Sequence, residues 1–254
     1  MITQETIDQI KKDAVDIDWE VAFDGKAYGN QHLFRVAIIA QFLAEKEGAN
    51  REICEAGAWL HDISLAEGND DDPAKVRASV EQFLAPLQLD DESKIRIAEC
   101  AETHEGAGVA VSIEAKIVHD ADALDKMGLL GVIRHTWKIV NLIDEYASVE
   151  EVFWLLQKHL KARKDKLYTP TARKLVRKLN GSLYQFFENK TKAIKTLEKV
   201  MKLAKSGITS DDIAKELLSK DDIPELVWQL YVDDTLLEDL YEATEELRVS
   251  AAAY

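Results

Sequence analysis

Apolar residues recur along most of this chain at three- and four-residue spacing, which is the period of an amphipathic helix. The clearest run begins at Gln31 and ends at Gly48. Its apolar positions are Leu33, Val36, Ala37, Ala40, Leu43 and Ala44. No stretch shows the convincing apolar–polar alternation that is typical of a half-buried strand. The pattern therefore predicts an all-α fold.

Capping residues and helix breakers divide this pattern into separate helices. Asn50 and Ser112 are typical N-caps, Asp72 followed by Pro73 is a strong helix start, and Pro86 is a stop. The predicted helices cover residues 3–15, 31–48, 50–61, 72–86, 90–105, 112–126, 129–146, 150–166, 169–180 (or, with a kink, to 192), 193–205 and 210 onward. The stretches 23–30 and 64–72 are predicted loops.

The last part of the chain differs in composition. From Asp211 onward there are thirteen acidic and three basic residues, so this segment carries about two-thirds of the formal net charge of −15. The sequence is therefore divided into a helical domain, residues 1–192, and an acidic C-terminal helical extension, residues 193–254. We expect the tail beyond Ser206 to be dispensable for chemistry, because none of the candidate site residues lies there.

The charge and the cysteines restrict the function classes. A net charge of −15 disfavours binding to duplex DNA or to an anionic membrane surface. It does not disfavour a nucleotide substrate, because a metal ion reverses the charge locally. Cys54 and Cys100 both lie in helical patterns and are interpreted as reduced core residues of a cytoplasmic protein. The charged segment from Met1 to Asp18 predicts neither a signal peptide nor a membrane span.

Three helical segments carry residues that are typical of a metal site. One apolar run ends in His61-Asp62, His32 lies in the first turn of the preceding helix, and a later helix contains Asp120, Asp122 and Asp125. His32, His61, Asp62 and one acid of the later helix would supply two imidazole nitrogens and two carboxylates to one ion. Such a mixed set suits magnesium or a divalent transition metal, such as Mn, Fe, Co or Ni.

The order of these residues resembles that of the HD-domain metal-dependent phosphohydrolases. The segment His32-Leu-Phe-Arg-Val resembles the opening His-x-x-Arg-Val of the small bacterial and archaeal members, Leu60-His-Asp-Ile resembles their second motif, and Asp120-Ala-Asp-Ala-Leu-Asp-Lys-Met-Gly resembles the last. The resemblance covers residues 25–190 approximately. It implies an HD-domain-like helical bundle followed by the C-terminal extension.

The fourth ligand has two candidates. Asp120 and Asp122 are two residues apart, so they point about 160° away from each other on a helix. Asp122 and Asp125 interrupt an apolar row, where an acid needs a partner. The family pattern Ala-Asp-x-Leu also falls on Asp122. We therefore predict Asp122 as the ligand and keep Asp120 as the alternative, with an ordinary first-turn acid as its other interpretation.

Further residues are assigned to catalysis and substrate binding. Asp125 either orients a ligand histidine or pairs with Arg134, and His104 is either a general acid or phosphate contact or an ordinary helix-end histidine. The candidate phosphate contacts are Arg35, Lys126 and Arg134. After His61-Asp62 the first acid is Glu67, so the acid that some family members carry shortly after this motif is absent here.

The predicted function is hydrolysis of a nucleotide or another small phosphoester or phosphoanhydride by water activated on a divalent ion. Two alternatives stay open: a helical binding or scaffold protein with a structural metal site, and a di-iron oxygenase on the same fold. The expected partner is a small phosphate-bearing substrate, without duplex nucleic acid or membrane. Self-association as a homodimer stays open. A weak likeness of residues 205–214 to a helix-turn-helix is disfavoured by its acidic surroundings.

Overall fold

A computed structural model of the protein describes residues 2–25, 31–68, 72–105, 108–162 and 167–219. Eleven α-helices follow one another in these ranges, without a β-strand. They are α1 Gln4–Asp16, α2 His32–Glu47, α3 Arg51–Leu60, α4 Pro73–Leu84, α5 Asp91–Glu102, α6 Ile113–Asp125, α7 Gly128–Lys138, α8 Val149–Ala162, α9 Pro170–Glu188, α10 Lys190–Lys205 and α11 Ser210–Leu217. The all-α prediction is confirmed.

The predicted caps determine where the helices begin. The side chain of Asn50 accepts a hydrogen bond from the backbone N–H of Ile53, and Asp72 accepts one from Ala74. Ser112 does the same for α6. These bonds satisfy backbone donors that the first helical turn leaves without a partner.

Several predicted boundaries differ from the structure. The predicted helix 129–146 is α7 followed by a π-helical turn, Ile139–Ile143, and the predicted loop 64–72 contains a 3-10 turn, Ile63–Glu67. A second π-helical turn, Ile17–Val21, follows α1, and α9 continues through Gly181 without a break. Most of the predicted loop 23–30, the end of the predicted helix 150–166 and everything from residue 220 onward lie outside the described residues.

Helices α2, α3 and α6 form one part of the described bundle, and α7 to α11 form another. Helix α2 packs against α3 and α6, and α3 also packs against α1 and α5. Helix α7 is surrounded by α8, α9, α10 and α11. One continuous apolar core includes residues on both sides of the predicted domain boundary at residue 193, such as Val176 and Leu197. The division into two units stays a prediction.

None of the helices in the described part of the chain is both long enough and apolar enough to cross a lipid bilayer.

Candidate metal centre

The four predicted ligands converge from three helices. His32 is the first residue of α2, His61 and Asp62 follow the last residue of α3, and Asp122 lies near the end of α6. His32, His61 and Asp122 are buried, and the Asp62 side chain is 10% exposed. One ligand atom each from His32, His61 and Asp62 lies within 4.8 Å of the others.

The distances define a compact set of electron-rich atoms. His32 Nε2 lies 3.1 Å from His61 Nε2 and 3.1 Å from Asp122 Oδ1. The Asp62 carboxylate lies 3.5 Å from His32 Nε2 and 3.4 Å from His61 Nε2. Asp122 Oδ1 is 3.7 Å from His61 Nε2. All four side chains therefore face one small volume.

The hydrogen bonds made by Nδ1 of His32 and His61 indicate whether this volume suits a cation. His32 Nδ1 donates to Asp125 Oδ2 at 2.7 Å, and His61 Nδ1 donates to the carbonyl oxygen of Ala58 at 2.7 Å. These contacts assign the proton of each neutral ring to Nδ1, which leaves a lone pair on each Nε2. Two lone pairs and two carboxylates repel one another at these distances unless a positive charge lies between them. The donor set therefore fits a divalent ion.

Burial favours the neutral, metal-binding form of His61. Burial lowers the pKa of His61 to about 4, with the nearby rings of His104 and His32 acting in the same direction. For Asp62, burial alone would raise the pKa, but the neighbouring histidines, His61 foremost, outweigh it and hold the pKa well below its ordinary value. A neutral imidazole beside an ionised carboxylate is the protonation state that metal binding requires.

His104 adds a third imidazole to the cluster. It follows α5, and its Nδ1 donates to the carbonyl oxygen of Ala101 at 2.6 Å, so its Nε2 also carries a lone pair. That nitrogen lies 3.4 Å from Asp62 Oδ1, and the ring stands edge-on to His61 with 4.9 Å between centroids. The position agrees with the predicted involvement of His104, whose role stays a prediction.

Asp125 supports the centre from behind. Its oxygens accept from His32 Nδ1 at 2.7 Å and from Arg35 Nε at 2.5 Å, and Arg134 Nε lies 3.1 Å away. Burial opposes the negative charge of Asp125, but Arg35 and the hydrogen bond from His32 outweigh it and hold the pKa well below its ordinary value. Both partners foreseen in the sequence, a ligand histidine and Arg134, are therefore present together.

Two of the three predicted phosphate contacts are turned away from solvent. Arg35 is 1% exposed and is bound by Asp125 and Asp211, and Arg134 is 2% exposed beside Asp125. Both guanidinium groups lie against Asp125, which contacts His32 at Nδ1, the ring nitrogen that faces away from the predicted ligand cluster. These positions favour a supporting role for both arginines.

Lys126 is the predicted phosphate contact that adjoins the ligands. Its Nζ donates to Asp122 Oδ2 at 2.7 Å and to Glu105 Oε1 at 2.5 Å. Burial acts to lower the pKa of Lys126, but Asp122 and Glu105 outweigh it and raise the pKa, so the ammonium stays charged. Glu105 was not singled out in the sequence; its position directly after His104 was the available signal.

Asp18 is a second residue that the sequence analysis missed. It lies in the π-helical turn Ile17–Val21, which packs against the turn Ile63–Glu67. That turn directly follows the predicted ligand Asp62. Asp18 is 8% exposed, and burial, together with the charge of Asp62, raises its pKa to about 7. Its position between the apolar residues Ile17 and Trp19 was the available signal in the sequence.

Asp120, the alternative fourth ligand, is used elsewhere. Its two oxygens accept the backbone N–H groups of Tyr168 and Thr169 at 2.8 and 2.7 Å. It therefore anchors the start of α9 to α6. The geometry brings Asp122, not Asp120, to the ligand cluster.

Residues 30–127, which include all four predicted ligands, match the HD domain model, so the chain carries an HD domain. The resemblance found in the sequence is thereby confirmed. The chain is 29% identical to the uncharacterized protein YpgQ of Bacillus subtilis over 173 residues, 64% of this chain and 82% of YpgQ. It is 37% identical to ribonuclease Y of Treponema denticola over 94 residues, which are 37% of this chain but only 18% of that enzyme.

Several solved structures share the fold of this chain. The YpgQ crystal structure superposes with a TM-score of 0.57 at 24% identity, covering 76% of this chain and 97% of YpgQ. A Lactobacillus plantarum protein gives a TM-score of 0.59 at 23% identity, covering 75% and 97%. A further structure holds YpgQ in complex with ADP, with a TM-score of 0.54 at 24% identity over 75% of this chain and 99% of that one.

Proposed function

We propose that this protein is a metal-dependent phosphohydrolase that acts on a nucleotide or on another small phosphoester or phosphoanhydride. The observation that carries the proposal is the pair of imidazole nitrogens, His32 Nε2 and His61 Nε2, that face each other at 3.1 Å between two carboxylates inside an HD domain. Repulsion within such a set is relieved by a divalent cation.

His32, His61, Asp62 and Asp122 would hold the ion. When bound, the ion supplies a Lewis acid for a phosphoryl oxygen and lowers the pKa of a water molecule. Asp125 and the carbonyl oxygen of Ala58 fix the orientation of the two rings. Fixed rings lose little freedom when the ion binds.

The open side of the centre is marked by its most exposed groups. Of the described site residues discussed above, Asp62 and Glu105 have partly exposed side chains, 10% and 24%. Lys126 bridges Asp122 and Glu105, and His104 lies against Asp62. Lys126 would offset negative charge on the transferred phosphoryl group, and His104 would hold or deliver a proton through Nε2.

Two features support a nucleotide as the substrate. The structural relative YpgQ has been solved in complex with ADP. The site also combines one cationic side chain, Lys126, with a cation-binding ligand set, which suits a short chain of phosphates rather than a long polyanion.

The test is an activity panel with the full-length chain. Metal is removed with a chelator and Mn, Mg, Co, Ni or Fe is restored before the addition of nucleoside mono-, di- and triphosphates or a generic phosphoester. We expect metal-dependent release of phosphate or pyrophosphate from at least one nucleotide. A short single-stranded RNA belongs in the panel, because one relative is named a ribonuclease. If no metal supports release from any of these compounds, the proposal is wrong.

One observation favours keeping the oxygenase alternative. His104 Nε2 lies 3.4 Å from Asp62 Oδ1, which provides a fifth donor beside the four predicted ligands. Elemental analysis of the purified chain separates the two functions. One divalent ion per chain supports the hydrolase, whereas two iron atoms per chain support a di-iron oxygenase.

A further inference from the structure

The C-terminal extension reaches the metal centre through one buried acid. Helix α11 begins with two adjacent acids, Asp211 and Asp212. Asp212 is exposed and hydrogen-bonds to Thr209 at the N-cap, whereas Asp211 is 6% exposed. The two residues carry the same charge in the same helical turn but face opposite environments.

Arg35 connects this acid to the ligand His32. Arg35 Nη1 donates to Asp211 Oδ1, while its Nε and Nη2 donate to the two oxygens of Asp125 at 2.5 and 3.2 Å. Asp125 Oδ2 in turn accepts from His32 Nδ1 at 2.7 Å. An unbroken series of charged hydrogen bonds therefore runs from α11 to a metal ligand.

The charges in this series indicate how Asp211 would affect the binding of a cation at the centre. Arg35 and Arg134 both adjoin Asp125, so a single carboxylate would face two buried guanidinium groups. Asp211 supplies the second negative charge and balances the set. Without Asp211, an uncompensated positive charge would lie behind His32 and would oppose the entry of a divalent ion. Arg35 would also lose the contact that holds its fork on Asp125.

Helix α11 is held in place independently of Arg35. Trp137 Nε1 on α7 donates to the carbonyl oxygen of Ile208 at 3.0 Å, just before α11 begins. Ile213 and Ala214 of α11 are buried in the apolar core. The position of Asp211 is therefore fixed by packing before the ion pair is considered.

We propose that Asp211 is a positioning residue for the metal ligand His32, acting through Arg35 and Asp125, so that the docked C-terminal helix raises the affinity of the centre for its ion. The proposal rests on the proposed function, because it requires that the centre binds a divalent metal. It replaces the expectation that the tail beyond Ser206 is dispensable for chemistry.

The test compares Asp211→Asn with Asp212→Asn in the full-length chain, with Mn²⁺ as the probe. Both changes remove one negative charge from the first turn of α11, but only the first one touches Arg35. Removing the partner of a metal-ligating histidine typically weakens metal affinity about 10–100-fold. Since Asp211 acts one step further away, we expect about tenfold weaker Mn²⁺ binding for Asp211→Asn and no change for Asp212→Asn. Isothermal calorimetry gives the dissociation constants.

A second measurement separates positioning from a general loss of stability. At saturating Mn²⁺, Asp211→Asn should recover most of the wild-type kcat, with the loss confined to the metal concentration that half-activates the enzyme. Thermal unfolding of the metal-free variants reports stability. A variant that is less stable but binds Mn²⁺ like the wild type overturns the proposal. Equal weakening by Asp211→Asn and Asp212→Asn also overturns it, because the effect would then be a matter of net charge.

Trp137→Phe provides an independent route if Asp211→Asn does not fold. Phenylalanine keeps an aromatic ring in the core but removes the N–H that holds Ile208. We expect Mn²⁺ binding to weaken about threefold, less than the 10–100-fold of a direct partner, and unchanged binding counts against the proposal. A wild-type chain that binds no Mn²⁺ at all would instead refute the proposed function.

Discussion

At the scale of single residues, the two histidines predicted as metal ligands are oriented by different means. His61 donates to Ala58, three residues earlier at the end of the same helix. His32 donates to Asp125, which lies 93 residues away in the sequence. The orientation of His61 is therefore local and survives changes elsewhere, whereas the orientation of His32 depends on how α2 and α6 pack.

The ligand assignment makes a direct prediction about metal binding. His61→Ala and Asp62→Ala each remove one donor from a centre in which four donors share one small volume. Since loss of a mere hydrogen-bond partner already costs about 10–100-fold in affinity, loss of a donor should cost more than about 100-fold. Calorimetry with Mn²⁺ and a phosphate-release assay should show that both properties disappear together.

Asp120→Asn is the matched control, because it removes a carboxylate from the same helix. Its oxygens bind two backbone N–H groups at the start of α9, so the change should cost about 1–3 kcal/mol of stability. Metal affinity should stay at the wild-type level. If Asp120→Asn loses the metal and Asp122→Asn keeps it, the choice of the fourth ligand is wrong.

Asp18 predicts how stability depends on pH. Its pKa is raised to about 7, chiefly by burial, so the folded state holds the proton more tightly than the unfolded chain. Its contribution to stability is complete below the pKa of the unfolded chain and is lost as pH rises through 7. A tenfold difference in proton affinity corresponds to about 1.4 kcal/mol, which makes a few kcal/mol the upper limit.

Asp18→Asn should therefore stabilise the metal-free protein relative to the wild type at pH 8 more than at pH 5. Urea unfolding at the two pH values, in the presence of a chelator, measures the difference. Glu20→Gln is the control, because Glu20 is exposed in the same π-helical turn. A difference between wild type and Asp18→Asn that is the same at both pH values would contradict the prediction.

The sequence was sufficient to predict which four side chains converge, but not which partners surround them. The row of apolar residues that Asp122 interrupts indicated a buried acid with a function. Arg35 and Arg134 were predicted from the sequence to contact the phosphate of the substrate. A sequence does not show that a guanidinium group is buried against a carboxylate. Arg35 meets Asp211 across 176 residues, and no local pattern signals such a contact.

At the scale of helices, Gly57 allows α3 and α5 to approach closely. A Cβ atom at this position would lie 2.5 Å from the Cβ of Cys100 and 3.0 Å from its Sγ. Gly57→Ala should therefore destabilise the protein by about 1–3 kcal/mol, as is typical of an overfilled core. Chemical unfolding measures the loss.

Gly181→Ala in α9 is the control for the helix propensity of alanine. Gly181 is exposed, and a Cβ there would meet nothing within 4 Å. The change should stabilise the protein by about 0.5–1 kcal/mol. A stabilising Gly57→Ala would show that α5 can move away from α3 at little cost.

Helix starts were predictable, but some helix ends were not. N-caps such as Asn50 act on donors two or three residues away, so a short stretch of sequence contains the whole signal. The predicted helix 129–146 instead ends in a π-helical turn, in which the N–H of Asp144 donates to the carbonyl oxygen of Ile139 at 2.7 Å. Apolar spacing does not distinguish this wider turn from a regular one.

At the scale of the whole molecule, the charge predicts which phosphates are bound. A net charge of −15 repels a long polyanion, whereas the few charges of a nucleotide can be met by the ion and Lys126. We expect no binding of a labelled DNA duplex at about 150 mM salt, and binding of ADP in the presence of Mn²⁺. Fluorescence anisotropy and calorimetry measure the two. Tight, steeply salt-dependent DNA binding would contradict the electrostatic argument.

The packing of the segment beyond residue 206 could not be predicted from its composition. The acidic composition beyond residue 206 suggested an appendage, because composition reports the average surface of a segment. The segment is joined to the core by Ile213 and Ala214, two buried residues among many charged ones. A few apolar residues at helical spacing are enough to join a segment to a core that neighbouring helices have already formed.

The separation of Asp211 from the ligands has a consequence for biosynthesis. The chain leaves the ribosome with its N-terminus first. The four predicted ligands, His32, His61, Asp62 and Asp122, therefore emerge before α11 is synthesised. If α11 raises metal affinity, a nascent chain that ends shortly after α6 exchanges its ion readily, and the finished chain retains it. The identity of the bound metal would then be determined during translation, by the ions that are available to the nascent chain. Nascent chains stalled before and after residue 211 should accordingly release Mn²⁺ at different rates.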